Sequence, residues 1–296
     1  MNDEVTSILD GVDELIERTL GLTGIPRYGK RPIKSKTAAI DLSQNGIPGN
    51  GKTLDGSNLV KSIFDRIKLN HESMGSLSPS PSNWQCRKAV EISDNNASPE
   101  KRLEKTIVNW LDDSWFNQIP TCNGMAVSKE YHRCIDLGHS VAEKQFELIE
   151  LKFGKEARNF GSDNPLFALL ELVEYAALYL YSRSLWTTKD TSERRKLFKD
   201  DRLMKAERIE WFVAAPAGYF RYKNQNELQQ LDLGWLAIAL GTGLSSVSCE
   251  QKGPKMSLQL KSISAGFEQR FNALQDAECN FFDFISGQNP PNQIFE

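Results

Sequence analysis

Apolar residues recur at helical spacing over residues 5–20, where Ile8, Leu9, Val12, Leu15, Ile16 and Leu20 mark one face of an amphipathic helix. The pattern then breaks. From about residue 22 to 98 the stretches "LSQNGIPGNGKTLDGSN" and "ESMGSLSPSPSN" are rich in Gly, Ser, Pro and Asn, which punctuate loops. A short helix is predicted at 57–69, and residues 1–97 read as an N-terminal helix followed by an irregular, partly flexible arm. Periodicity returns at 98–116. Ser98 suits a cap, Pro99 the first helical position and Glu100 the first turn, and Leu103, Ile107, Trp110 and Leu111 recur on one face. Strand-like runs follow at 131–140 and 146–154, then a long helix at 164–186 and a buried strand at 208–216. A helix at 226–243, a strand at 256–264 and a helix at 267–286 complete the chain. Helix and strand alternate, which predicts an α/β domain over 98–296 with a central sheet flanked by helices. No internal repeat is present.

Composition narrows the class. Of 296 residues, 40% are hydrophobic and 25% charged, as in a globular protein. No apolar run approaches a membrane span, and the acidic start "MNDEV" is unlike a secretory signal. Five cysteines (Cys86, Cys122, Cys134, Cys249, Cys279) without C-x-x-C spacing argue against a disulfide framework or zinc knuckle. Three histidines (His71, His132, His139) argue against a histidine-rich metal centre. A cytoplasmic protein is expected. The formal charge of −3 is uneven, with basic stretches at 27–36 and 194–208 suited to a phosphate backbone.

"GIPGNGKT" at 46–53 satisfies the phosphate-loop pattern, with Lys52 and Thr53 at its end. That loop works between a buried strand and a helix. Here "AAIDLSQN" precedes it, a polar end where the strand should be, and "LDGSN" follows, with Gly56 in the first turn. We read the motif as a chance match and expect no nucleotide site.

The acids at 136–152 carry more chemistry. In "IDLGHSVAEKQFELIELK", Glu150 and Lys152 are two apart on a strand and so share a face. A tight connection through 138–145 brings Asp136 beside them. Burying two carboxylates and an ammonium is costly unless they pair or bind a cation. Two carboxylates with a main-chain carbonyl, that of Leu151, suit Mg2+ or Mn2+. Lys152 would orient the attacking water, or deprotonate it if its pKa were lowered. The plainer reading of Glu150 and Lys152 is a surface salt bridge.

These residues resemble the PD-(D/E)xK nuclease superfamily, the restriction-endonuclease-like fold, over roughly residues 98–220. Asp136, the Glu150-Leu151-Lys152 triplet and the preceding helix carry the likeness, with Ile135 where the family's proline stands. The resemblance implies a central mixed sheet flanked by helices and a metal-dependent site hydrolysing phosphodiester bonds. It assigns catalysis to Asp136, Glu150, Lys152 and an acid of the first helix, Glu104, with Glu100 as the neighbouring candidate. A subgroup carries Gln-x-x-x-Tyr in the next helix, which "ELVEY" matches as Glu171 and Tyr175. His139 is a further accessory candidate, near a scissile phosphate. The implied function is DNA cleavage, in a restriction or anti-phage defence setting, with a regulatory protein partner and with the arm as a specificity, autoinhibitory or partner-docking element. A dimer would supply one site per strand. The competing reading is a catalytically silent subunit of the same fold that binds nucleic acid or a protein.

Overall fold

The computed structural model describes residues 5, 7–20, 54–75, 80–91, 99–121, 133–153, 165–224, 227–230, 233–263 and 295. The phosphate-loop motif, the basic stretch 27–36 and the helix expected at 267–286 lie outside them.

Three helices come first: α1 (Val12–Leu20), α2 (Gly56–Ser73) and α3 (Pro99–Trp110). Strands β1 (Trp115–Pro120), β2 (Cys134–Ala142) and β3 (Gln145–Leu151) form an antiparallel meander. Helix α4 (Pro165–Thr187), the short α5 (Thr191–Leu197) and β4 (Arg208–Pro216) follow. A small hairpin, β5 (Arg221–Asn224) and β6 (Glu227–Gln230), precedes α6 (Gly234–Glu250) and β7 (Lys255–Ile263). The main sheet has the order β1-β2-β3-β4-β7, with β3–β4 and β4–β7 parallel. This is an α/β fold with a five-stranded mixed sheet flanked by helices, as the alternating pattern predicted.

Strand alternation divides the interior between the two sheet faces. On β4, Ile209, Trp211, Val213 and Ala215 enter the larger core, with α1, α2, α4 and α6. Phe212 and Ala214 enter the smaller one, with Leu103, Ile107 and Val108 of α3. Helix α4 is apolar on every side because it lies in the middle of the larger core. Contrary to the expectation that no apolar run approaches a membrane span, α4 is long and apolar enough by length and composition, and its apolar window is wholly buried in this fold.

The helices expected at 5–20 and 57–69 are present as α1 and α2, and together with Trp84 they contribute to that same core. Ile8, Val12 and Ile16 of the α1 region, Leu59, Ile63 and Ile67 of α2, and Trp84 are all at most 1% exposed. Residues 84–89 also run beside β1. The Trp84 N–H donates to Pro120 O at 2.7 Å, and the Asn117 N–H donates to Arg87 O at 2.9 Å. A strand edge with unpaired backbone groups is thereby covered.

Two further differences have local causes. The helix expected to reach 116 stops at Trp110, where Asp112 Oδ1 accepts the Ser114 N–H at 2.9 Å and turns the chain into β1. Gln118, at φ 50°, interrupts the alternation that would have announced β1. The helix expected at 226–243 begins at Gly234 and runs on through Gly241 and Gly243. Both glycines sit where another backbone approaches, Leu258 at Gly241 and Gly56 at Gly243. Helix α2 starts at Gly56 with Asp55 as its cap, whose carboxylate accepts the Asn58 N–H at 2.9 Å.

Candidate active site

The ladder between β2 and β3 ends at Leu137↔Ile149, one residue short of Asp136 and Glu150. Beyond that point β3 continues on β4, with Leu151 opposite Ala214 and the Lys152 N–H donating to Ala214 O at 2.9 Å. The Leu151 N–H donates instead to Asp136 Oδ2 at 2.8 Å. A carboxylate thus takes the place of a ladder bond where β2 peels away, and the sheet opens into a cleft.

Four elements send acids there. Glu150, from β3, is 4% exposed. The Lys152 ammonium donates to Glu150 Oε1 at 2.6 Å and to Glu171 Oε2, from α4, at 3.4 Å. Glu171 Oε1 accepts the Tyr175 hydroxyl at 3.0 Å and Arg133 at 3.2 Å. Glu171 and Tyr175 are four apart and so share one face of α4. From α3, Glu104 is 3% exposed and its Oε1 accepts Asn117 Nδ2 at 2.6 Å. The Asn117 amide is itself fixed, giving a bond to Ala89 O and taking one from Ala89 N–H. Glu100, one turn before Glu104, acts electrostatically on Asp136, Glu150 and Lys152.

Burial and mutual repulsion set the charges. Burial, with Glu150 beside it, pushes the Asp136 carboxyl well above the usual range. Glu150 is pushed up to about 8, chiefly by burial and against the pull of Lys152. Burial likewise raises Glu104 to about 7, partly offset by the Asn117 bond. Burial would lower Lys152, but Glu150 and Glu171 outweigh it and hold the ammonium well above an ordinary lysine. In the metal-free site Lys152 is therefore held as a cation. Glu171 is kept ionised, because Lys152, Arg133 and Tyr175 overcome its burial.

A divalent cation suits this donor set. Glu150 Oε2 is buried and has no hydrogen-bond partner among the described residues, an arrangement that costs free energy unless a cation meets the oxygen. The carboxyls raised by burial and repulsion would be stabilised as anions by the same charge. Among the described residues no group of three or more His, Cys, Asp or Glu is placed to hold a metal ion, so the donor set is the pair of carboxylates with a main-chain carbonyl. Two carboxylates and the Leu151 carbonyl leave room for the several waters Mg2+ retains.

Of the residues singled out in the sequence, Asp136, Glu150, Leu151, Lys152, Glu104, Glu100, Glu171 and Tyr175 are thus gathered at one end of the sheet. His139 is not among them. Its ring stacks on Trp115 at 4.3 Å and its Nδ1 meets Glu147 Oε2 at 2.9 Å. It pairs across the sheet with Glu147, three residues and about 10 Å down the strand from Glu150. The basic stretch 194–208 is also remote. Arg208 opens β4 opposite Gln145, six residues or about 20 Å from the Leu151 end. Several of its charges are locally matched, in Arg202–Asp200, Lys205–Asp201 and Arg208–Glu210 pairs. Arg133 and Asn117 went unnoticed in the sequence. Only their nearness to Asp136 and to the helix carrying Glu104 pointed to them.

Glu104 gives a pH prediction. Its carboxyl is raised in the folded state, so its favourable contribution is complete below about pH 4.5 and lost as pH rises through about 7. Glu104→Gln, which mimics the protonated acid, is expected to stabilise the metal-free protein by about 3 kcal/mol near pH 8. Little change is expected near pH 4.5. Thermal unfolding of both proteins in chelator checks this, and an equal effect at both pH values would count against a buried, raised carboxyl.

Comparison of the chain with protein-family models, with curated proteins and with solved structures gave no match.

Proposed function

We propose that this chain is a divalent-metal-dependent nuclease that hydrolyses phosphodiester bonds of DNA. The observation that carries the proposal is the convergence of Asp136, Glu150 and Lys152 where β2 leaves β3, with Glu150 Oε2 buried and unpartnered among the described residues. The helix–three strands–helix–strand order of α3, β1–β3, α4 and β4 supports the same reading, since it is the unit expected for a restriction-endonuclease-like core.

Asp136, Glu150 and the Leu151 carbonyl would hold Mg2+ or Mn2+, which when bound acidifies water and stabilises charge on a phosphoryl oxygen. Lys152 supplies a second positive charge beside it. Its Nζ can donate to a phosphoryl oxygen or orient the water that attacks phosphorus. Glu171 holds Lys152 from the α4 side, fixed in turn by Tyr175 and Arg133. Glu104, with a carboxyl near neutrality, can take up or release a proton at the edge of the cleft.

The test is incubation of supercoiled plasmid, linear duplex and single-stranded DNA, and RNA with the protein and Mg2+ or Mn2+, beside a chelator control. Cleavage of DNA that requires the metal is expected. A folded protein that cuts none of these with either metal would overturn the proposal.

A further inference from the structure

Lys152 stands between two carboxylates, 2.6 Å from Glu150 and 3.4 Å from Glu171. How firmly it holds Glu150 depends on how much of Glu171 is satisfied elsewhere. Glu171 divides its oxygens: Oε2 faces Lys152, while Oε1 accepts both Arg133 and Tyr175. Arg133 is placed for this task. Its carbonyl accepts the Thr121 N–H at 3.0 Å and the Thr121 hydroxyl at 3.1 Å, which fixes the backbone at the mouth of β2. Its guanidinium then crosses to α4.

We propose that Arg133 is a positioning residue of the site: through Glu171 it sets how firmly Lys152 occupies Glu150, and so how readily Glu150 serves a divalent cation. The inference rests on the reading of Asp136 and Glu150 as holders of that cation. Lys152 and the cation compete for one carboxylate. With Arg133 on Glu171, Lys152 leans to Glu150 and restrains cation binding. Without Arg133, Glu171 draws Lys152 toward itself and frees Glu150.

Mn2+ alone, titrated into the intact chain by calorimetry, reads this competition without any cleavage. Arg133→Ala is expected to bind Mn2+ about fivefold more tightly and Glu171→Gln about fivefold more weakly. Tyr175→Phe removes the other bond to Oε1 without changing any charge, and is expected to tighten binding about twofold. The double variant Arg133→Ala/Glu171→Gln should behave like Glu171→Gln, because the link through which Arg133 acts is already cut. Net charge alone predicts that the double variant returns to the wild-type affinity and that Tyr175→Phe changes nothing. Those two results together would overturn the relay while leaving the nuclease reading intact. If the folded wild type binds no Mn2+, the metal site itself fails, and the relay with it. Near-ultraviolet circular dichroism checks each fold, and Tyr175→Phe, which deletes one hydroxyl, carries the test if Arg133→Ala does not fold.

Discussion

Lys152→Ala is expected to lower metal-dependent DNA cleavage about a hundred- to a thousandfold, the usual loss when one preorganised donor to a developing charge is removed. The side chain is only 12% exposed and lies between two acids, so no water-borne cation substitutes for it. Removing one member of a buried pair commonly costs about 3–5 kcal/mol, because the other charge is stranded. Here the cost is softened, since Glu150, already pushed up to about 8, can take a proton instead. The variant should therefore remain folded while losing activity. Single-turnover cleavage measured beside thermal unfolding separates the two effects. Undiminished cleavage by Lys152→Ala would show that the phosphodiester is not broken at this cleft.

Gly243→Ala is expected to cost about 3 kcal/mol of stability, at the upper end of overpacking penalties. A Cβ at this position overlaps the Gly56 carbonyl, and a Cβ on Gly56 would overlap the Ala239 carbonyl. Helices α2 and α6 cross at backbone contact, so relief requires moving whole helices rather than turning a side chain. Gly241→Ala is the control. Its Cβ would come no nearer than 3.1 Å to Leu258 N, which a small shift accommodates. Urea unfolding should show a large fall in midpoint for Gly243→Ala and a small one for Gly241→Ala. Equal effects would mean that the crossing tolerates separation. Since domain stabilities are only about 5–15 kcal/mol, the loss is a substantial part of the whole.

The same crossing shows why part of the chain was misread. Gly56 looked like a helix breaker after a phosphate-loop motif, yet it opens α2 and serves close packing. An anion at that helix N-terminus would meet the Asp55 carboxylate, which already accepts a first-turn N–H. Composition gives no sign that residues 80–91 join the core, because a Gly/Ser/Pro-rich stretch hides the few large residues, such as Trp84, that enter the core from it.

What the sequence determined by itself is what local periodicity encodes. Alternation places Glu150 and Lys152 on one strand face, the four-residue spacing places Glu171 beside Tyr175, and the apolar run after Pro165 makes a long helix. These are properties of a few neighbouring residues and survive without knowledge of the rest. What tertiary structure decided is which of these local faces meet. Arg133 reaches Glu171 across 38 residues of chain, Asn117 reaches Glu104 from another element, and His139 is taken by Trp115 and Glu147 instead of joining the cleft. The charge state of Lys152 belongs to the same class. A lysine's pKa follows from the balance of burial against the acids around it, and that balance exists only once β3, α3 and α4 have closed on one point.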